Sequence, residues 1–128
     1  MTLDELLTEA SGPLGVARGH VVFGKVTCYT RVSKHYLEGV NVKTIDLANI
    51  TTRSKHRGQG HFTAFLSAVE GTAGSVGRAV YIENVMEERF RGFFRKRGYA
   101  ETGDANLPCF WKSFEHRVCE PAVSGVVG

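Results

Sequence analysis

The sequence predicts one α/β (α+β) domain with a mixed central sheet and helices on both faces. Two observations predict it. Segments of period two and period 3.6 alternate along the 128 residues instead of separating into halves. The middle of the chain reads strand, Gly-rich turn, helix, strand, a unit that crosses over right-handed between parallel strands.

Thr2 and Glu5 read as a capping box, and Leu3, Leu6, Leu7 and Ala10 follow at i, i+3, i+4 and i+7, which gives a short amphipathic helix. "SGPLG" ends it. From His20 to Val32 the period is two, with Val26, Cys28, Thr30 and Val32 on one side and Thr27, Tyr29 and Arg31 on the other. "LEGVN" is a turn, and a second strand runs from Val42 to Thr52, so these two strands form an antiparallel hairpin or meander. After "HRGQGHF", Phe62, Phe65, Leu66 and Val69 mark a helix face that "EGTAGSVGR" ends. "AVYIEN" is an apolar central strand. Met86, Phe90, Phe93 and Phe94 mark a third helix, closed by Gly98. Tyr99–Glu101 and Cys109–Phe114 are closing strands. The domain is expected over residues 1–116, with a mobile tail at 117–128.

Composition narrows the classes. No run approaches the length of a membrane span, the N-terminus lacks a basic leader region, and Cys28, Cys109 and Cys119 form no CxxC pair. A cytoplasmic protein with free thiols is expected. Cys109, His116 and Cys119 lack a fourth ligand, so no metal is expected. The net charge of +3 admits an anionic ligand without implying nucleic-acid binding.

The Gly-rich turn carries the chemistry. Unpaired N–H groups and the dipole at a helix N-terminus attract an anion, and Gly58 and Gly60 let the backbone wrap it closely. Thr63 stands where a dinucleotide fingerprint needs its third glycine, and no G-K-[ST] follows, so neither a Rossmann nor a P-loop reading fits. On the turn alone, a diphosphate cradle and a plain strand-to-helix connection remain equal.

Two motifs separate them. "RGQGHF" resembles motif A of the GNAT family of N-acetyltransferases, Q/R-x-x-G-x-G/A: Arg57 holds the first position, Gly60 the glycine, and Phe62 stands where Gly or Ala is usual. "EERFRGFFRKRGY" resembles motif B, with Phe90, Phe93 and Phe94 at its apolar and aromatic positions, Glu87 in place of Asn, and Phe94 where many members carry tyrosine. "CFWK" is similar to the last family strand. The resemblance covers about Lys43 to Lys112. It implies a small, minimal member, similar in size to phage-encoded acetyltransferases, with a splay between the two central parallel strands.

The resemblance further implies acetyl-CoA as co-substrate. Its pyrophosphate would lie on the backbone of Arg57, Gly58, Gln59, Gly60, His61 and Phe62, and its pantetheine arm along the strand edge near Ile50 and Thr52, with Phe94 at the cofactor side of motif B. Acetyl would pass directly to a primary amine, on a small molecule or a protein lysine. That requires a base, alignment and an oxyanion donor. Asp46 is the first candidate base and Glu83 the second, with Asn49 orienting water or substrate; His35 and His61 are remoter. Tyr81 or Tyr99 could replace the missing tyrosine hydroxyl. "GDANLP" is a candidate acceptor loop. The alternatives are a catalytically silent CoA- or protein-binding module, and a basic nucleic-acid-associated module using "RFRGFFRKRGY". Nucleic acid is disfavoured because the three Phe residues share one helical face. A monomer and a homodimer are both open.

Overall fold

The computed structural model describes residues 1–12, 15–52 and 60–114. Arg57, Gly58 and Gln59 of the Gly-rich turn and the tail at 117–128 lie outside the described residues. The element order is α1 (Leu3–Ala10), β1 (Ala17–Phe23), β2 (Val26–Leu37), β3 (Val40–Thr52), α2 (His61–Val76), β4 (Ala79–Ile82), α3 (Glu88–Lys96), β5 (Ala100–Asp104) and β6 (Leu107–Ser113). The six strands form one mixed sheet in the order β1-β2-β3-β4-β6-β5, in which β3 and β4 are the parallel pair. Among the described residues, no helix is long and apolar enough to cross a membrane.

Most elements follow from local chemistry. The Thr2 hydroxyl accepts from the Glu5 N–H at 3.1 Å, and the Glu5 carboxylate accepts from the Thr2 N–H at 2.7 Å, completing the capping box of α1. Gly98, at φ 91°, takes the left-handed conformation that stops α3.

Some elements differ from the sequence reading. The period-two run before residue 33 is two strands, because Gly24, at φ 57°, begins a two-residue turn that pairs Phe23 with Val26. Helix α2 runs through "EGTAGSV" to Val76, with Gly71 and Gly74 inside it. A Cβ at Gly74 would lie 3.2 Å from the Phe114 carbonyl, so this helical glycine admits the chain leaving β6. Met86 precedes α3 and is exposed, so it does not share the helix face. "GDANLP" is no open loop: Asp104 pairs with Leu107, and the Asn106 N–H donates to the Asp104 carboxylate at 2.8 Å, which makes a tight hairpin.

The two sheet faces have different chemistry. Residues opposite one another in register project to the same side. Val26, Cys28 and Val32 of β2, Ile45 and Leu47 of β3, Val80 and Ile82 of β4, and Phe110 of β6 therefore share a face, and all are buried. Leu6 of α1, Phe65, Leu66 and Val69 of α2 and Phe94 of α3 join them in one cluster. The mixed sheet is as expected; the helical layer differs in that all three described helices supply this single face. The other face carries Tyr29, Arg31, Ser33 and His35 of β2, Thr44 and Asp46 of β3, and Tyr81 of β4.

A polar clamp fastens α2 to the end of α3. Glu70 accepts two bonds from the Arg97 guanidinium, at 2.7 and 2.9 Å, and one from the Tyr99 hydroxyl at 2.6 Å. Burial pushes the Glu70 carboxyl up, but Arg97 and Tyr99 outweigh it and hold the group below its ordinary value of 4.5. A carboxyl depressed in the folded state contributes stability that is complete above 4.5 and is lost as pH falls through the lowered folded value. Urea midpoints measured across that acid window are therefore expected to fall less steeply for Glu70→Gln than for the parent; equal slopes would remove the clamp as a source of acid sensitivity.

Candidate active site

The parallel ladder is short. Thr44, Ile45, Asp46 and Leu47 face Ala79, Val80, Tyr81 and Ile82, and the last bond runs from the Glu83 N–H to the Leu47 carbonyl at 3.0 Å. Strand β3 continues through residues 48–52, while β4 has ended. The two strands thus form a fork that opens at Glu83, and the β3 arm offers backbone groups that β4 does not use.

A bulge lies on that arm. Tyr29 pairs with Ala48 and Thr27 with Thr51, so Asn49 and Ile50 both stand opposite Cys28. Asn49 takes φ 48°, a conformation that asparagine tolerates better than most residues. The Cys28 thiol donates to the Ala48 carbonyl at 3.3 Å. Burial pushes this thiol up to about 11, so it remains protonated as a donor and is unsuited to act as a nucleophile. Ile50 packs against the core cluster. Thr52 is the last residue of β3.

On the opposite, polar face of the sheet, which no described helix covers, a chain of polar groups crosses three strands toward the fork. Asp46 is buried, at 1% exposure. One carboxylate oxygen accepts from the Thr44 hydroxyl at 2.6 Å, and the other lies 2.9 Å from His35 Nε2 and 3.7 Å from Arg31 Nε. Arg31, opposite Asp46 in register, reaches past it to form an ion pair with Glu83. His35 stacks on Tyr81, with ring centroids 3.9 Å apart and planes 8° from parallel. Behind Asp46, Arg78 donates to the carbonyls of Ser33 and Thr44, each at 3.2 Å. Burial lowers the Arg78 guanidinium, and Asp46 opposes that shift.

The structure therefore brings Asp46 and Glu83 together through Arg31, with Asn49 farther along β3. The ligand atoms of His35, Asp46 and Glu83 lie within 4.8 Å of one another, a spacing that could hold a metal ion, and here the neighbouring cation is the guanidinium of Arg31. Gly60, at φ 79°, caps α2, and a Cβ added there would meet nothing within 4 Å among the described residues. His61 opens α2. Phe62 does not stand clear of the fold: its ring lies 5.7–6.1 Å from those of Phe90, Phe93 and Phe94. Phe94 is buried and stacked on Phe110, within the core cluster.

The two substitute tyrosines separate. The Tyr99 hydroxyl is spent on Glu70, and burial followed by that bond pushes it up. Tyr81 shares the polar face with Asp46; burial, then the neighbouring Cys109, raises it as well. Sequence reasoning passed over Arg31 and Thr44. Their signal was the alternation itself: Arg31, Ser33 and His35 recur every second residue on one side of β2, beside Thr44 and Asp46 at the same period.

No family model matches the chain, and no curated protein matches it. Solved structures do, and they define the architecture: the chain has the fold of the GNAT acetyltransferases. It is similar to a chain of the KacTA–DNA complex, at 18% identity and TM-score 0.55 over 88% of this chain and 76% of that one. It is also similar to a tyrosine-to-phenylalanine mutant of the toxin AtaT bound to the C-terminus of the antitoxin AtaR and acetyl-CoA, at 17% identity and TM-score 0.52 over 70% of this chain. A third, an inferred acetyltransferase from Agrobacterium tumefaciens, matches at 15% identity and TM-score 0.54, with 87% of each chain covered. The match spans 58% of the AtaT chain.

Proposed function

We propose that this protein is an acetyl-CoA-dependent N-acetyltransferase that moves acetyl directly to a primary amine. The observation that carries the reading is the fork between β3 and β4, with a bulge on the longer arm and a glycine-capped helix after it. In this reading the pantetheine arm pairs with the free edge of β3 near Ile50 and Thr52, and the diphosphate rests on the turn that ends in Gly60, His61 and Phe62. Two features are compatible with that ligand: residues 48–52 extend beyond β4, and the space at the Gly60 Cα is open. A backbone N–H of β3 supplies the oxyanion donor. Asp46 or Glu83 supplies the proton acceptor and Asn49 orients water or substrate. Tyr81, and not Tyr99, is the hydroxyl suited to protonate the leaving thiolate, because Tyr99 is engaged on the helical side.

The acceptor is a small-molecule amine or a protein lysine. A second reading keeps the fold without the transfer, as a CoA- or protein-binding module. It is favoured by Phe94, which supplies no hydroxyl and is enclosed in the core. Likeness to chains crystallised with an antitoxin peptide and in a DNA complex supports a macromolecular partner in either reading.

Calorimetric titration with acetyl-CoA, followed by thiol-release assays with spermidine, an amino sugar and a lysine peptide, tests the proposal. Saturable binding with thiol release is expected. Binding without release from any acceptor would favour the silent module, and absence of binding would overturn both CoA readings.

A further inference from the structure

The chain of groups on the polar face has an order. Asp46 is buried, and its two carboxylate oxygens are engaged by the Thr44 hydroxyl and by His35, with Arg31 3.7 Å away, so it is enclosed within the polar network. Glu83 stands where the strands part: its N–H makes the last ladder bond, and its side chain keeps 16% of its surface exposed. Arg31 joins the two. Its backbone is fixed opposite Asp46 in the β2–β3 register, and its guanidinium extends over β3 to Glu83. A lone carboxylate at the end of a short strand could adopt several rotamers. A guanidinium that is itself seated against a buried carboxylate restricts that choice.

We propose that Arg31, anchored on Asp46, is the positioning residue that holds Glu83 at the fork as the proton acceptor of the transfer. The inference rests on the acetyltransferase reading and divides the roles of its two carboxylates. Glu83 accepts one proton from the acceptor's ammonium group, breaking N–H and forming O–H and leaving a neutral amine. The amine nitrogen then forms the C–N bond to the acetyl carbon as the C–S bond breaks; sulfur leaves with the electron pair and takes a proton from the Tyr81 hydroxyl, which recovers it through solvent from the second N–H of the nitrogen, so that the amide, the CoA thiol and a protonated Glu83 result. Asp46 exchanges no proton in this scheme. The ionisable groups sharing this face near Glu83 are Tyr29, Arg31 and His35 of β2, Asp46 of β3, Tyr81 of β4 and Cys109 of β6. Of these groups, Arg31 forms the ion pair with Glu83.

The test uses Arg31→Met and Arg31→Lys, because the Arg31 side chain is 35% exposed and its replacement leaves the core intact. The first measurement does not depend on the reaction. A carbon NMR titration of the Glu83 carboxyl is expected to move to higher pH in Arg31→Met and to return part of the way in Arg31→Lys, since a nearby cation favours the carboxylate. An unmoved titration would overturn the pairing. The second measurement is turnover with acetyl-CoA and a lysine peptide. Arg31→Met is expected to lower kcat by roughly tenfold to a hundredfold, the scale of a misplaced catalytic group. The acid limb of its rate profile should follow the shifted Glu83 titration, while acetyl-CoA affinity stays within about twofold. Arg31→Lys should recover part of the rate. A faster Arg31→Met, or a lower KM for the amine, would show that Arg31 competes with the acceptor and would overturn the positioning role. If the parent protein binds no acetyl-CoA, the transferase reading and the catalytic role assigned to Glu83 fail together, while the titration still decides whether Arg31 and Glu83 are paired.

Discussion

Gly60→Asp is expected to abolish measurable acetyl-CoA binding while the domain stays folded. The backbone at Gly60 has φ 79°, so any side chain there enters the left-handed region at a cost of about 1–2 kcal/mol. Aspartate and asparagine bear that cost better than other residues, and no described residue clashes with a Cβ there. Strain is therefore nearly the same for Gly60→Asp and Gly60→Asn, and charge is what separates them. A carboxylate set against a diphosphate brings like charges together, which costs several kcal/mol, or at least about a hundredfold in affinity. Gly60→Asn is expected to lose far less, because it keeps the shape without the charge. Calorimetry on the pair, with thermal melts as a folding control, gives the answer: equal loss in both variants assigns the effect to the backbone, and retained binding in Gly60→Asp removes the turn as a diphosphate cradle.

The legibility of this fold varies with the range of the interaction. Short-range signals were readable: the Thr2–Glu5 box, the Gly98 stop, and the apolar run of β4 each act within a few residues. The Gly24 turn was hidden because period two continues on both sides of it, and only the pairing of Phe23 with Val26 reveals the reversal. Gly71 and Gly74 read as helix breakers because glycine propensity is low, but packing against the chain at Phe114 overrides it in α2. The site was legible as a set of residue types and not as a network. Asp46 and Glu83 could be named from their strands, yet neither strand says that Asp46 is buried or that an arginine from β2 lies between them. That information resides in the register of three strands, which hydrophobic period alone leaves free.

Phe94→Ala is expected to cost about 3–5 kcal/mol of folding stability, the scale of emptying a buried aromatic site. Phe94 is 2% exposed and touches rings from three elements: Phe62 of α2, Phe93 of α3 itself, and Phe110 of β6, with Tyr99 just beyond the helix. It is the one fully buried residue of α3, so it carries most of what fastens that helix to the sheet. Domains of this class have only about 5–15 kcal/mol in total, so the variant should be marginal, with a urea midpoint far below the parent's. A loss below about 1 kcal/mol would mean that the aromatic cluster repacks around the gap and that α3 is held chiefly by the ion pairs that Arg95 and Arg97 make to Glu101 and Glu70. Phe94→Tyr separates packing from chemistry at the same site. A hydroxyl enclosed by these rings without a partner costs roughly 1–3 kcal/mol, which predicts a destabilised protein with no gain in thiol release. A stable Phe94→Tyr protein with faster release would instead mean that the ring edge reaches the fork, and that the site lacks only a proton donor at that position.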